Sequence, residues 1–146
     1  MSNNAKSLEL YTTVGMAAWL CGHSDYHSTW EMGAFDQNIV PPLAQKQFKM
    51  YLDESGMPVG LVTWAWLSEQ RCSEAVGGKG LEWEDWHSGE QLYCHDFLAP
   101  WGHGKHLFKD LKVNVFPHVK EVLAIRGRLN GSIRSRVHMK FKKVVH

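Results

Sequence analysis

The stretch Gln91–Phe108, QLYCHDFLAPWGHGKHLF, changes character halfway along, and its reading decides the fold. Its first half alternates as a buried strand does, Ala99-Pro100 stops it, and Gly102 and Gly104 open a helix. A strand that ends in a glycine-containing turn feeding a helix leaves several backbone N–H groups unpaired and turned toward one place. Such a place suits a phosphate or an oxyanion. Asp96 lies inside the strand among Tyr93, Phe97 and Leu98, where a carboxylate is costly to bury alone. It requires a cation or a proton donor from elsewhere in the chain.

Working outward, Lys105–Phe116 is amphipathic through Leu107, Phe108, Leu111 and Val115, and ends at Pro117. Two further strands, about Glu121–Arg126 and Arg136–Val144, flank the turn Asn130-Gly131-Ser132. On the other side, Gln47–Asp53 alternates, Glu54-Ser55-Gly56 turns, and Val59–Leu67 is rich in Val, Thr and Trp, which reads as an antiparallel hairpin. Ser68 caps a short helix to Val76 that Gly77-Gly78 ends, and Trp83 and Trp86 share one helical turn. Upstream, Leu8–Leu20 has helical spacing, with Leu8, Tyr11, Val14 and Ala18 recurring at three and four, Ser7 as N-cap and Gly22 as its end. A second helix from Trp30 to about Asn38 stops before Pro41-Pro42, which exclude helix there. Helices, a hairpin, then strand, glycine turn, helix and strand indicate a single α+β domain over residues 1–146, with a mixed, mostly antiparallel sheet and flanking helices.

A chain of 146 residues with 44% hydrophobic residues and seven Trp buries a continuous core without disulfides or metal. Cys21, Cys72 and Cys94 are odd in number and lack CxxC spacing, which fits a reducing, cytoplasmic compartment. No signal segment opens the chain, and no apolar run approaches the roughly 18 residues that span a bilayer. The net charge of +1 is unevenly placed: from Val122 onward there is no acidic residue, while Arg126, Arg128, Arg134, Arg136, Lys140, Lys142 and Lys143 make up seven of the sixteen Lys and Arg. That asymmetry suits an acidic partner, or equally a solvated pair of basic strands.

His27, in the polar segment His23–Trp30, is the first candidate partner for Asp96. An imidazole backed by a carboxylate makes a general base, because the carboxylate sets the tautomer and stabilises the imidazolium. Periodicity alone does not bring the two together. A metal site is a second reading, from the i, i+4 spacing of His23 and His27 and the proximity of Cys94, His95, His103 and His106; against it, Cys94 and His95 fall on opposite faces of a regular strand. A nucleophilic Cys94 or Ser24 is a third, and each also has a structural reading as a core thiol or a loop-orienting hydroxyl. Gly102 and Gly104 serve equally a ligand turn or an ordinary one.

Several blocks together carry more. Trp19-Leu20, Ser24-Asp25-Tyr26-His27-Ser28-Thr29-Trp30, Val62-Thr63-Trp64-Ala65, Glu84-Asp85-Trp86-His87-Ser88-Gly89-Glu90 and Asp96-Phe97-Leu98-Ala99-Pro100-Trp101-Gly102 resemble, in order, the motifs of the RTX toxin-activating lysine acyltransferases. The likeness runs from about Tyr11 to Gly127. It implies a GNAT-like fold and transfer of a fatty acyl group from acyl carrier protein to internal lysines of an RTX protoxin in the cytosol. On the motif match, the essential His and Asp of the family fall on His27 and Asp96, with Ser24, Gly102 and Gly104 toward the substrates. The resemblance implies no metal and no tightly bound cofactor, the acyl-carrying protein being the donor. The partners it implies are that carrier protein and the protoxin, not nucleic acid, and a homodimer is left open. The competing class is a non-catalytic basic module that binds nucleic acid or an acidic protein, which leaves Asp96 without a task.

Overall fold

The computed structural model describes residues 4–127 and 133–140. Its elements are α1 (Asn4–Gly22), α2 (Met32–Asn38), α3 (Val40–Ala44), β1 (Phe48–Leu52), β2 (Pro58–Leu67), α4 (Glu69–Val76), β3 (Gln91–Leu98), α5 (Gly104–Asp110), β4 (Glu121–Gly127) and β5 (Ile133–Lys140). The five strands form one sheet in the order β1-β2-β3-β4-β5. All neighbours are antiparallel except β3 and β4, which run parallel because α5 crosses between them. The α+β class expected from the sequence holds, and the arrangement is compatible with a GNAT-like fold. The turn Asn130-Gly131-Ser132 and the basic residues Arg128, Lys142 and Lys143 lie outside the described residues. Among those described, no helix is long and apolar enough to cross a membrane.

Alternation along β2 divides the core in two. Leu61 and Leu98 meet Ala17, Leu20 and Cys21 of α1, Phe35 of α2 and Leu43 of α3, and farther along the same face Ala65, Leu67 and Tyr93 meet Cys72, Ala75 and Trp86. On the opposite face, Val62 and Leu92 pack against Leu107, Leu111 and Phe116. A small apolar cavity of about 30 Å³ lies there, lined by Trp64, Cys94, Phe97, Phe108 and Phe116 among others. Leu107 packs directly onto the backbone of Gly60 on this face, and a Cβ there would stand 2.6 Å from Leu107 Cδ2 and oblige that side chain to shift. The helix from α5 tightens no further after Asp110 but widens into a π-helical turn, Leu111–Val115, closed by Phe116 N–H on Leu111 O at 2.8 Å.

Ser68 caps α4 as its sequence predicts, its hydroxyl accepting from Arg71 N–H at 3.1 Å. Two expectations are corrected. Pro41 and Pro42 lie inside α3, in its first turn, where the missing N–H groups would be unpaired in any residue; their carbonyls still accept from Gln45 and Gln47. Ser7 is inside α1 rather than its cap, and the apolar stripe read there points outward at its start, with Leu8 66% and Tyr11 69% exposed. Val14 of that stripe does join the packed face, with Leu10 and Ala17 beside it.

Candidate active site

Register decides the site. β2 pairs Thr63 with Asp96 and Trp64 with Cys94, so His95 is one extra residue in β3, a bulge. In an unbroken strand Asp96 would share the face of Leu92 and Cys94. With the bulge it opposes Thr63 and faces α1, and the freed Asp96 N–H finds Thr63 Oγ1 at 3.1 Å. Thr63 is fully buried and Asp96 is 6% exposed.

His27 arrives from the other side. After α1 ends, successive turns carry the chain over the sheet: Ser24 N–H donates to Cys21 O, Ser28 N–H to Ser24 O and Trp30 N–H to His27 O. The rings of Tyr26 and Trp30 stand 5.0 and 4.7 Å from the imidazole and fix its plane. His27, 8% exposed, lies with Nε2 2.7 Å from Asp96 Oδ1 and Nδ1 2.8 Å from Ser24 Oγ.

The protonation pattern follows from the carboxylate. Burial by itself would raise the Asp96 pKa, but the charge of His95 and the hydrogen bonds from His27 and His95 outweigh it and hold it below the ordinary value. Asp96 is then an acceptor only, so His27 Nε2 is its donor. In the neutral ring Nδ1 is left as the lone-pair nitrogen, and Ser24 Oγ–H donates to it. The free basic atom therefore faces Ser24, in the loop that follows solvent-exposed Gly22 and His23.

Asp96 has a second imidazole that the sequence reading weighed only as a metal ligand. His95 Nδ1 is 2.7 Å from Asp96 Oδ2, and its ring lies against Trp86 at 4.8 Å. Thr63 was legible as part of a motif but not as a partner; no local signal marks the bulge that joins it to Asp96.

Gly102 has φ +90°, a conformation that favours glycine, and Gly102 N–H returns to Ala99 O at 3.3 Å. Gly104 is the first residue of α5. The turn reaches the His27 loop through Trp101, whose ring is 5.3 Å from that of His23, itself 4.3 Å from Trp19. Trp19 and Trp101 are 46% and 42% exposed, so a partly exposed aromatic rim flanks His23, the residue before Ser24. The motif turn Trp86–Gly89 has its own reason: a Cβ on Gly89 would stand 2.5 Å from the backbone of Leu67 and Ser68.

The thiols and the metal reading meet different fates. Burial, with the Asp96 charge added, pushes Cys21 and Cys94 up to about 12, which keeps both protonated. His27 is committed to Asp96 and Ser24, and His23 Nδ1 donates to Trp19 O at 2.8 Å. Among the described residues no group of three or more His, Cys, Asp or Glu side chains is placed to hold a metal ion.

Residues 6–142 match the family model of the RTX toxin acyltransferase family. The chain is 32% identical over 131 residues to the lysine-acyltransferase RtxC of Vibrio cholerae, a match covering 88% of this chain and 86% of that protein. It is 24% identical over 138 residues to the RTX-II toxin-activating lysine-acyltransferase ApxIIC of Actinobacillus pleuropneumoniae, covering 87% and 86%. It is also 28% identical over 131 residues to the protein-lysine myristoyltransferase RtxC of Kingella kingae, covering 86% and 76%.

Proposed function

The chain belongs to the RTX toxin acyltransferase family, and from that premise we propose that His27, oriented by Asp96, is the general base of its acyl transfer to protoxin lysines. The enzyme is an acyltransferase and its substrate class is an RTX protoxin. The donor in this reading is a fatty acyl thioester on acyl carrier protein, and the transfer takes place in the cytosol.

A thioester is already activated, but a lysine side chain, with an ordinary pKa of about 10.4, arrives as an ammonium. His27 Nδ1 takes a proton from it, and Asp96 stabilises the imidazolium through Nε2–H. The neutral amine attacks the thioester carbonyl carbon, the C–S bond breaks and an amide forms. Of the two protons the ammonium loses, one ends on the leaving thiol and one in water. The observation that supports this reading is the buried 2.7 Å contact between His27 and Asp96, with Nδ1 left as the basic atom.

On the donor side, support comes from the parallel pair. β3 and β4 share two partner positions, Tyr93 with Leu123 and Cys94 with Ala124, against seven for each of their other neighbours. Beyond Cys94 the strand edge near Asp96 is left for the amides of a phosphopantetheine arm, and the Gly102–Gly104 turn, whose Gly102 N–H is already given to Ala99 O, offers an oxyanion the N–H groups that open α5.

A second reading is favoured by the 2.8 Å contact of Ser24 Oγ with Nδ1: Ser24 as a nucleophile that carries the acyl group between two half-reactions. Mass spectrometry of protoxin incubated with acyl-loaded carrier protein tests both. We expect lysine acylation by the wild type and its loss in folded His27→Ala and Asp96→Asn. Activity retained by both variants would sink the general-base role, and a trapped acyl-Ser24 would replace it with the covalent route.

A further inference from the structure

We propose that His95 is a positioning residue of this acyl transfer, holding the second oxygen of Asp96 so that the carboxylate meets His27 in one orientation. The inference deepens the reading above and rests on it. Neighbouring residues of a regular strand point to opposite faces; the bulge turns His95 and Asp96 to the same one. Every polar atom of Asp96 on this side is then held, Oδ1 by His27, Oδ2 by His95 Nδ1 at 2.7 Å and N–H by Thr63.

The second imidazole is itself built in. Its ring lies 4.8 Å from Trp86 and 6.1 Å from Tyr93. Trp86 is 1% exposed, and its carbonyl accepts from the buried Gln47 Nε2 at 3.0 Å. The turn that carries Trp86 is closed by Asp85 on Glu82 N–H and tied to α4 by Arg71 on Asp85. Packing from three elements thus sets where His95 Nδ1 points.

Two N–H donors share the negative charge of one carboxylate. With His95 gone, Oδ2 loses its donor, the carboxylate can turn about Cβ–Cγ, and more of its charge falls on His27. His27 then holds its proton more tightly and becomes a free base at higher pH. Tyr26 faces His27 from its own loop, ring to ring at 5.0 Å, and the thiols and the second phenol packed around the pair stay neutral near pH 7. From α1 there is the Cys21 thiol and from β3 the Cys94 thiol and the Tyr93 phenol, all pushed up first by burial; Cys72 of α4, behind Tyr93, is raised by burial as well. The pH response therefore reads the two imidazoles and Asp96.

The test compares His95→Leu, which removes the donor, with His95→Asn, whose Nδ2 sits near the position of Nδ1 without an ionisable ring. Acyl transfer from acyl-loaded carrier protein to protoxin is followed as kcat, KM and the pH profile of kcat/KM, with folding checked by circular dichroism. We expect His95→Leu to lose roughly tenfold or more in kcat with both KM values little changed, and the acid limb to move up by about one pH unit. His95→Asn recovers kcat and returns the limb. A folded His95→Leu with wild-type kcat and acid limb overturns the inference. Should the leucine variant not fold, His95→Gln takes its place: activity kept by Asn and lost by Gln supports the contact, and equal activity in both overturns it. His27→Ala, run alongside, separates the two levels. An active His27→Ala removes the general base and this inference with it, whereas an inactive one beside a normal His95→Leu removes this inference alone.

Discussion

Two carboxylates stand on opposite faces of the sheet, and they are held by different kinds of partner. Asp96 meets the imidazoles of His27 and His95. Asp110, at the end of α5, meets Lys49 Nζ at 2.5 Å, Tyr51 Oη at 2.6 Å and Asn114 Nδ2 at 2.8 Å. Both have pKa values below the ordinary range although burial opposes it; at Asp110 the hydrogen bonds and the Lys49 charge bring it to about 2. The partners differ in what they do near neutral pH. Lysine, tyrosine and asparagine keep their protons there, so the Asp110 cluster ties β1 to α5. An imidazole gains or loses a proton close to pH 7, so the same local arrangement around Asp96 can move one. Where a buried carboxylate lies matters less for its chemistry than whether its partner titrates.

That contrast can be broken most sharply at the base. His27→Ala is expected to lower kcat by about 10² to 10⁴ while Asp110→Asn, assayed under the same saturating conditions, leaves kcat near the wild type. Asp96→Asn should fall in the same range as His27→Ala, because an amide can donate to Nε2 and push the proton onto Nδ1, the wrong tautomer for a base. A near-normal rate in folded Asp96→Asn would remove the distinction between the two carboxylates.

Stability should show the reverse order. Asp110→Asn weakens three hydrogen bonds at a half-buried site, and its loss is expected to be about 1–2 kcal/mol, discounted because Lys49 is partly in solvent. A thermal melt would register this as a drop of roughly 2–8 °C; an unchanged Tm would mean that the cluster holds nothing.

The smallest effect is on acid stability. A carboxylate whose folded pKa lies below its unfolded value adds stability above about pH 4 that is lost as pH falls through the folded value. For Asp110 that window runs from about pH 4 down to about pH 2. Urea unfolding measured at several pH values should give a flatter curve across this window for Asp110→Asn than for wild type. Equal slopes would place the acid sensitivity elsewhere.

Much of the scaffold was legible because its causes are local. Alternation at Phe48, Met50 and Leu52 gave the hairpin partner of β2, and Ser68 before Glu69 gave the capped start of α4. Asp96 was marked as a residue in need of a partner by its apolar neighbours alone. Other readings failed because the deciding contact was remote or the rule was applied too strictly. Pro41 and Pro42 break a helix interior but not its first turn. The stripe of Leu8 and Tyr11 has helical spacing, yet the core meets the neighbouring face of α1.

What the amino-acid sequence determined by itself was the order and kind of the elements and the residue types able to do the chemistry, since propensity, capping and periodicity act over a few neighbours. Tertiary structure alone decided which of these groups meet. His27 and Asp96 are 69 positions apart, and His95 joins them only because β3 carries one residue more than β2 between Trp64 and Thr63. A bulge is a property of two paired strands, set by the register of one against the other, and one strand's own alternation contains no trace of it.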